Sequence, residues 1–446
     1  MSSRLALLAL AGAVLVPVSP SVAAPPAGAI SKNVEYVTTL PEMATAISIN
    51  FIGKTMFVST QTGLFSYDVS NPRAPKLVGA LPQEIWENED VDVDPVRKLV
   101  FISRDPRPAP GLPASYLPKG SIAIVDVSNP AAMTVKNVVV LDGGHTTTCV
   151  EKCQWLWTGG PSTYTGPVGA QPSAWKGRPI FGTDLRDPAN PKACPKPIDT
   201  ARNDGVTDYA HDVQVDSRGI AWVSGRGGVR GYWTSGRHYD PVTRKKRTAD
   251  GCNPIPYGGG GTTIGRDGPL MHNALRRGDV LVGTEENITS SCETSGKAAT
   301  FDLKGTYGGA GWTNKKHRMR TLDTWTPADA EGATGCASAH YVSDRGDGVL
   351  AWAFYGQGTR FLDVSNPRRI RQIGYYRPDN ASAWAAYHYK GYVFVADNDR
   401  GVDVIKLTAK GGGKAPTLQA PALRRDAVAL RFKPSAALGW LCPTPR

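Results

Sequence analysis

Apolar and polar residues alternate along short stretches of this chain, and the alternation breaks repeatedly at Gly, Pro or an Asp-x-Ser-Asn run. "AISINFIGKTMFVST" (46–60), "EDVDVDPVRKLVFIS" (89–103) and "HDVQVDSRGIAWVSG" (211–225) each hold two alternating arms around a turn. A period of two puts successive side chains on opposite faces of a strand, so each stretch is predicted to be a β-hairpin. Downstream of the hairpins one phrase recurs. It reads "GLFSYDVSNPRAPKLVG" from Gly63, "GSIAIVDVSNPAAMTVKNVV" from Gly120, "GRPIFGTDLRDPANPKAC" from Gly177 and "GTRFLDVSNPRRIRQIGYY" from Gly358. Looser copies start at Gly228, Gly296 and Gly401, which brings the count to seven. In each, a Gly turn leads into an alternating strand, and the Asp, Ser and Asn side chains then cap a turn whose Pro stops the strand.

A hairpin plus this phrase and a further short strand makes a unit of about four strands, the size of a propeller blade. The fold expected is all-β: a single seven-bladed β-propeller of four-stranded blades. The last unit, "GVDVIKL", ends without an outer strand, and "NVEYVTTLP" (33–41) precedes the first hairpin, so the N-terminal strand is expected to close the last blade. Such closure leaves no open sheet edge.

Aligning the hairpins on their alternation places Thr45, Glu89, His145, His211, His272, His340 and Ser382 at the starts of the innermost strands. The chain has only seven histidines, and four of them fall in this one register. Innermost strands line the channel of a propeller and their first residues face one mouth, where ligands bind. His145, His211, His272, His340 and Glu89 are therefore the candidate ligands of a divalent transition metal (Zn, Cu, Fe or Mn), with Asp212, Asn273 and the hydroxyls of Thr146, Thr147 and Thr148 as candidate outer partners. His388 lies about six residues further into its strand and is expected elsewhere. The competing reading is structural, with each histidine bonding a neighbouring blade and no ion involved. Asp90, Asp92 and Asp94 resemble the opening of a calcium loop but lack its glycine and closing glutamate, which favours a solvated or structural role. "GGGGTTIG" (258–265) lacks the Lys-Ser or Lys-Thr of a phosphate cradle, and Trp155, Trp157, Trp222, Trp352 and Trp384 are expected to pack between blades.

Composition adjusts this picture at three points. The 49 glycines and 35 prolines exclude a helical protein. The N-terminus has Arg4, an apolar run from Leu5 to Val16 and small residues at Ala23, Ala24 and Ala29, so residues 1–29 read as a signal peptide, 30–408 as the propeller, and 409–446 as a Gly/Pro-rich linker with a basic tail. Export makes the seven cysteines candidates for disulfides, with Cys149 and Cys153 spaced for a hairpin bridge and Cys442 as the odd thiol. The formal net charge is +12, yet "RKKR" (244–247), "KKHRMR" (315–320) and "RRIR" (368–371) sit in apparent loops without a nucleic-acid module, so no nucleic acid is expected. No other stretch is long and apolar enough to span a bilayer.

"SIAIVDVSNP", "LFSYDVSNPRAPKLVG" and "YKGYVFVADNDRGVDVIKL" resemble the LVIVD-repeat family of exported bacterial and archaeal proteins. The resemblance covers most of residues 34–407 and implies a propeller, but supplies no catalytic residues. Two functions follow as expectations: a secreted or cell-surface binding or scaffold module, monomeric, recognising an extracellular ligand or cell-envelope component; or a secreted metal-dependent oxidase or hydrolase built on the axial ring.

Overall fold

The computed structural model describes residues 26–83, 85, 88–106, 120–160, 179–198, 209–226, 228–240, 243–257, 270–287, 296–303, 319–329 and 338–410. Cys292, Cys336, Cys442, the 258–265 glycine run and most of the C-terminal tail lie outside them.

Among the described residues the strands form seven antiparallel sheets of four or five strands, plus one two-stranded hairpin. The first strand of each sheet is Ala46–Ile52, Asp92–Asp94, Thr146–Val150, Tyr209–Val215, Leu270–Arg277, Val342–Asp344 and Ala383–Tyr389. Each of these touches the next, and Ala383–Tyr389 touches Ala46–Ile52, so they form a closed ring around an axis. This is a seven-bladed propeller of four-stranded blades.

The recurring phrase is the third strand of each blade. It appears as Gly63–Asp68, Gly120–Asp126, Phe181–Asp184, Gly228–Trp233, Ala298–Asp302, Thr359–Asp363 and Gly401–Leu407. In blades one, two and six the turn that follows has the same physical cause. Asp68, Asp126 and Asp363 accept hydrogen bonds from the backbone N–H two residues on, at Ser70, Ser128 and Ser365, over 2.8–2.9 Å. Asn71, Asn129 and Asn366 repeat the bond to Arg73, Ala131 and Arg368. Two successive side-chain-closed turns redirect the chain into the outer strand.

Val34–Leu40 pairs with Gly401–Leu407 and completes the last blade, as the sequence pattern requires. A shorter strand, Gly28–Ile30, adds a fifth member to blade six by pairing with Arg371–Pro378; it includes Gly28 and Ala29, which the leader boundary at residue 29 takes in. Blade four carries a side hairpin, Arg237–Asp240 with Lys245–Thr248, and this holds the "RKKR" run.

The core is divided among the seams between blades. Trp157 lies with Val213 and Tyr232, Trp222 with Met271 and Phe301, and Trp352 with Val282 and Phe354, all of them buried. Each such side chain contributes about 1.5–3 kcal/mol by leaving water. Trp384 departs from the expected pattern by sitting on the axis with Ile47 and Tyr355. The Cys149–Cys153 bridge expected from spacing is present, and a second joins Cys194 to Cys252. No helix among the described residues is long and apolar enough to cross a membrane.

Candidate metal centre

At the entrance of its innermost strand the backbone of blade four makes a β-bulge. His211 falls between the pairs Ala210–Gly225 and Asp212–Ser224 and opposes no residue of its own. His272 sits in the same way between Met271–Glu285 and Asn273–Thr284. A bulged residue leaves the pleat, and here it projects toward the other blades. His145 and His340 stand just before their strands, their N–H groups donating to Gly159 and Ala353 carbonyls at 3.2 and 2.9 Å. Gly160 lies behind His145 at φ +96°, and a Cβ there would fall 2.0 Å from the histidine Cβ, so only glycine leaves room for the ring.

The four imidazoles meet around one carboxylate. Glu89 Oε2 lies 3.0 Å from His272 Nε2, 3.3 Å from His145 Nε2 and 3.6 Å from His211 Nε2, and its Oε1 lies 3.5 Å from His340 Nε2. His145 Nε2 and His211 Nε2 are 3.0 Å apart. All five side chains are fully buried. Donor atoms of Glu89, His145 and His211 lie within 4.8 Å of one another, as do those of Glu89, His272 and His340, and those of His211, His272 and Glu286; each set could hold a metal ion.

Hydrogen bonds around the ring fix which nitrogens carry protons. His145 Nδ1 is 2.8 Å from Asp105 Oδ2, and His340 Nδ1 is 2.6 Å from the Trp384 carbonyl. Both partners can only accept when the carboxylate is ionised, so both Nδ1 atoms donate. In the neutral rings each Nε2 is then a lone pair aimed at the centre. His340 Nε2 and Glu89 Oε1 make no hydrogen bond, although both are buried and face one another. Two acceptors in that arrangement require a cation or a proton between them.

Without an ion, the electrostatics favour a proton on two of the rings, since, against burial, Glu89 raises His340 as well as His145. Burial pushes the Glu89 carboxyl up, but His145, His340 and His272 outweigh it and hold the group well below the usual carboxylate range. Burial also opposes protonation of His145, yet Glu89 and Asp105 prevail and raise it to about 10. His211, under burial and the nearby His272, is driven well below its ordinary value. A tier of polar groups lies next to the ring along the inner strands. Asp212 accepts from Asn273 Nδ2 at 2.6 Å and from Tyr341 Oη at 3.4 Å, and burial lifts it to about 7. Asp90 accepts from Thr148 Oγ1 at 3.1 Å and from Gln214 Nε2 at 3.3 Å.

Comparison with known proteins bears on the scaffold. A family model, the LVIVD repeat, matches residues 118–140. The chain carries an LVIVD repeat. Among solved structures, the WD40 repeats of RRP9 match with a TM-score of 0.50 at 9% identity, covering 86% of this chain and 98% of that one, which supports the propeller fold alone. The periplasmic gluconolactonase of Pseudomonas aeruginosa (TM-score 0.47, 11% identity, 73% of this chain and 83% of that one) and BamB from Moraxella catarrhalis (0.45, 10%, 84% and 97%) also match. No curated protein matches the chain by sequence.

The LVIVD repeat covers the third strand of blade two and nearly all of its outer strand, Thr134–Leu141, whereas the converging side chains come from strand entrances at the axis. The repeat therefore identifies blades and is silent on the centre. The register read from sequence needs correction in two blades. The bulge in blade one is at Ile47 and in blade seven at Trp384, so these residues, and not Thr45 and Ser382, are the counterparts of His211 and His272. Thr146 and Thr148 bond the carbonyls of His211 and Val213 and no imidazole nitrogen, and Asp212 and Asn273 bond one another. The outer partners are instead Asp105, at the end of blade two's second strand, and the Trp384 carbonyl. Glu286, which accepts from Tyr355 Oη at 2.6 Å, was missed as well. Asp90 is buried rather than solvated, while Asp94 pairs with Arg97 at 2.5 Å. His388 lies mid-strand beside Ser343, away from these sets, and His238 stacks on Trp233 in the side hairpin.

Proposed function

We propose that this LVIVD-repeat propeller is an exported metal-binding protein whose axial centre holds a divalent first-row transition metal (Zn, Cu, Fe or Mn) through Glu89, His145, His211, His272 and His340. The observation that carries the reading is the meeting of acceptors: the buried His340 Nε2 faces Glu89 Oε1 at 3.5 Å while its Nδ1 donates to a carbonyl. Imidazole nitrogen with carboxylate oxygen is a donor set for those metals. Asp105 would hold His145 in the ligating tautomer, as carboxylates do behind metal-bound histidine. Export is supported by the leader-like residues 1–29 and by the two disulfides, which persist in oxidising compartments. In this reading the propeller is a secreted or cell-surface module that recognises an extracellular ligand or envelope component, with its basic loops facing an anionic surface.

A second reading, a secreted metal-dependent oxidase or hydrolase, is favoured by one feature. The donors come from five blades only, and the remaining two contribute an apolar wall of Ile47 and Trp384 with Tyr355. An ion with dry protein on one side and donors on the other supplies Lewis-acid or redox chemistry when bound. Metal analysis of protein purified without a histidine tag, after exposure to zinc, copper, iron and manganese in turn, tests the centre: a stoichiometric ion that is lost on His211→Ala supports it, and no bound ion after any exposure overturns it.

A further inference from the structure

We infer that the centre takes two divalent first-row ions bridged by Glu89. The inference rests on the metal reading above and extends it. Glu89, His145 and His211 form one set and Glu89, His272 and His340 another, with Glu89 in both, while a third set, His211, His272 and Glu286, takes one histidine from each. No set of mutually close donors takes in all four imidazoles. Bonds of about 2.0–2.2 Å to one ion would bring any two donors within about 4.4 Å of each other, so a single ion would gather all four rings into one set.

Glu89 is oriented for the shared role. Its Oε2 lies 3.0 Å from His272, 3.3 Å from His145 and 3.6 Å from His211, and its Oε1 lies 3.5 Å from His340. The carboxylate therefore lies within reach of the histidines of both sets, as a bridging ligand must. The His211–His272 side has a further donor in Glu286, whose carboxylate is steadied by Tyr355 and belongs to the third set. With Glu89 and Glu286 the centre offers six side chains. Six donors divided between two ions leave coordination positions open on both, whereas six on one ion leave none. Pairs of ions in such sites stand about 3.5–4 Å apart, a span one carboxylate bridges.

The test is a count. Tag-free protein is stripped with a chelator, loaded with Cu(II), dialysed against metal-free buffer and analysed for copper and by electron paramagnetic resonance. Two equivalents per chain are expected, with a resonance intensity well below that of two isolated Cu(II) ions because the carboxylate couples their spins. His145→Ala and His340→Ala are each expected to keep one equivalent with the full intensity of an isolated ion. One equivalent in the wild type, at full intensity, overturns the pair and leaves the single-metal reading standing; no retained copper, zinc, iron or manganese overturns both. The wild-type count decides the matter even where a variant fails to fold.

Discussion

Asp105 stands behind His145 and decides what that imidazole can do. Its carboxylate accepts a hydrogen bond from Nδ1–H at 2.8 Å and so turns Nε2 toward Glu89 and His211. Removing such a partner behind a metal-bound histidine costs about 10–100-fold in metal affinity. Asp105→Asn is expected to weaken binding by that amount in a chelator competition, with an unchanged circular dichroism spectrum; unchanged affinity would show that Asp105 does not position the ligand. His388 gives a pH-linked contrast away from the centre. Burial, reinforced by Arg345, lowers its imidazole to about 4, so the folded protein holds it neutral. Between pH 6.5 and 4 the unfolded chain binds the proton and the folded chain does not. The stabilisation from neutral His388 is therefore complete above about pH 6.5 and lost as pH falls toward 4, by up to about 3 kcal/mol at roughly 1.4 kcal/mol per unit. His388→Gln should flatten this part of the stability profile in denaturant titrations at pH 7, 5.5 and 4. An equally steep profile in the variant would place the dependence on other groups.

Among the elements, the outer rim of blade three depends on a long-range tie. Its outer strand Lys192–Ala193 is only two residues long, and Cys194 beside it is bridged to Cys252 across a sequence separation of 58. Closing a loop of that length in the unfolded chain is worth about 4 kcal/mol on the chain-entropy account. The double variant Cys194→Ser, Cys252→Ser is expected to lose stability of that order in a denaturant melt, and a loss under about 1 kcal/mol would mean that the strand holds by pairing alone. Cys252 carried no local signal for its partner, because the two halves of the bridge meet only through the packing of blades three and four. The same limit shaped what could be read of the site. Alternation and the Asp-x-Ser-Asn turn were sufficient for blades, strand order and the four histidines, since each is a local feature. Alternation repeats every two residues, so a register displaced by two is invisible to it. That is the displacement between Thr45 and Ile47, and between Ser382 and Trp384. Asp105 and Glu286 escaped because they end second strands, which run back to the mouth where first strands begin. An acid at the end of a hairpin's return arm was the signal available, for Glu286 is the cross-strand partner of Leu270, two residues before His272.

On the scale of the whole molecule the chain is closed at two places by different means. Val34–Leu40 fastens the N-terminus to the last blade through a backbone ladder, so blade seven is built from both ends of the described chain. At the axis, blades two to six each bring a fully buried polar side chain to the centre around Glu89, namely Glu89, His145, His211, His272 and His340. A cation bound there would give five blades a shared ligand that the unfolded chain cannot assemble. Binding confined to the folded state stabilises by about 2.7 kcal/mol when free metal is 100 times its dissociation constant. Chelation should therefore lower the melting temperature, and readdition of the metal should restore it in proportion to the logarithm of its concentration. The strand closure predicts the complementary behaviour: a chain shortened to begin after Leu40 exposes the edge of Gly401–Leu407 and should melt lower by a margin that metal cannot recover, because the ion ties blades two to six and not the seventh. If metal shifts the melting of the full chain by nothing, the axial side chains are joined by shared protons, and closure rests on the N-terminal strand.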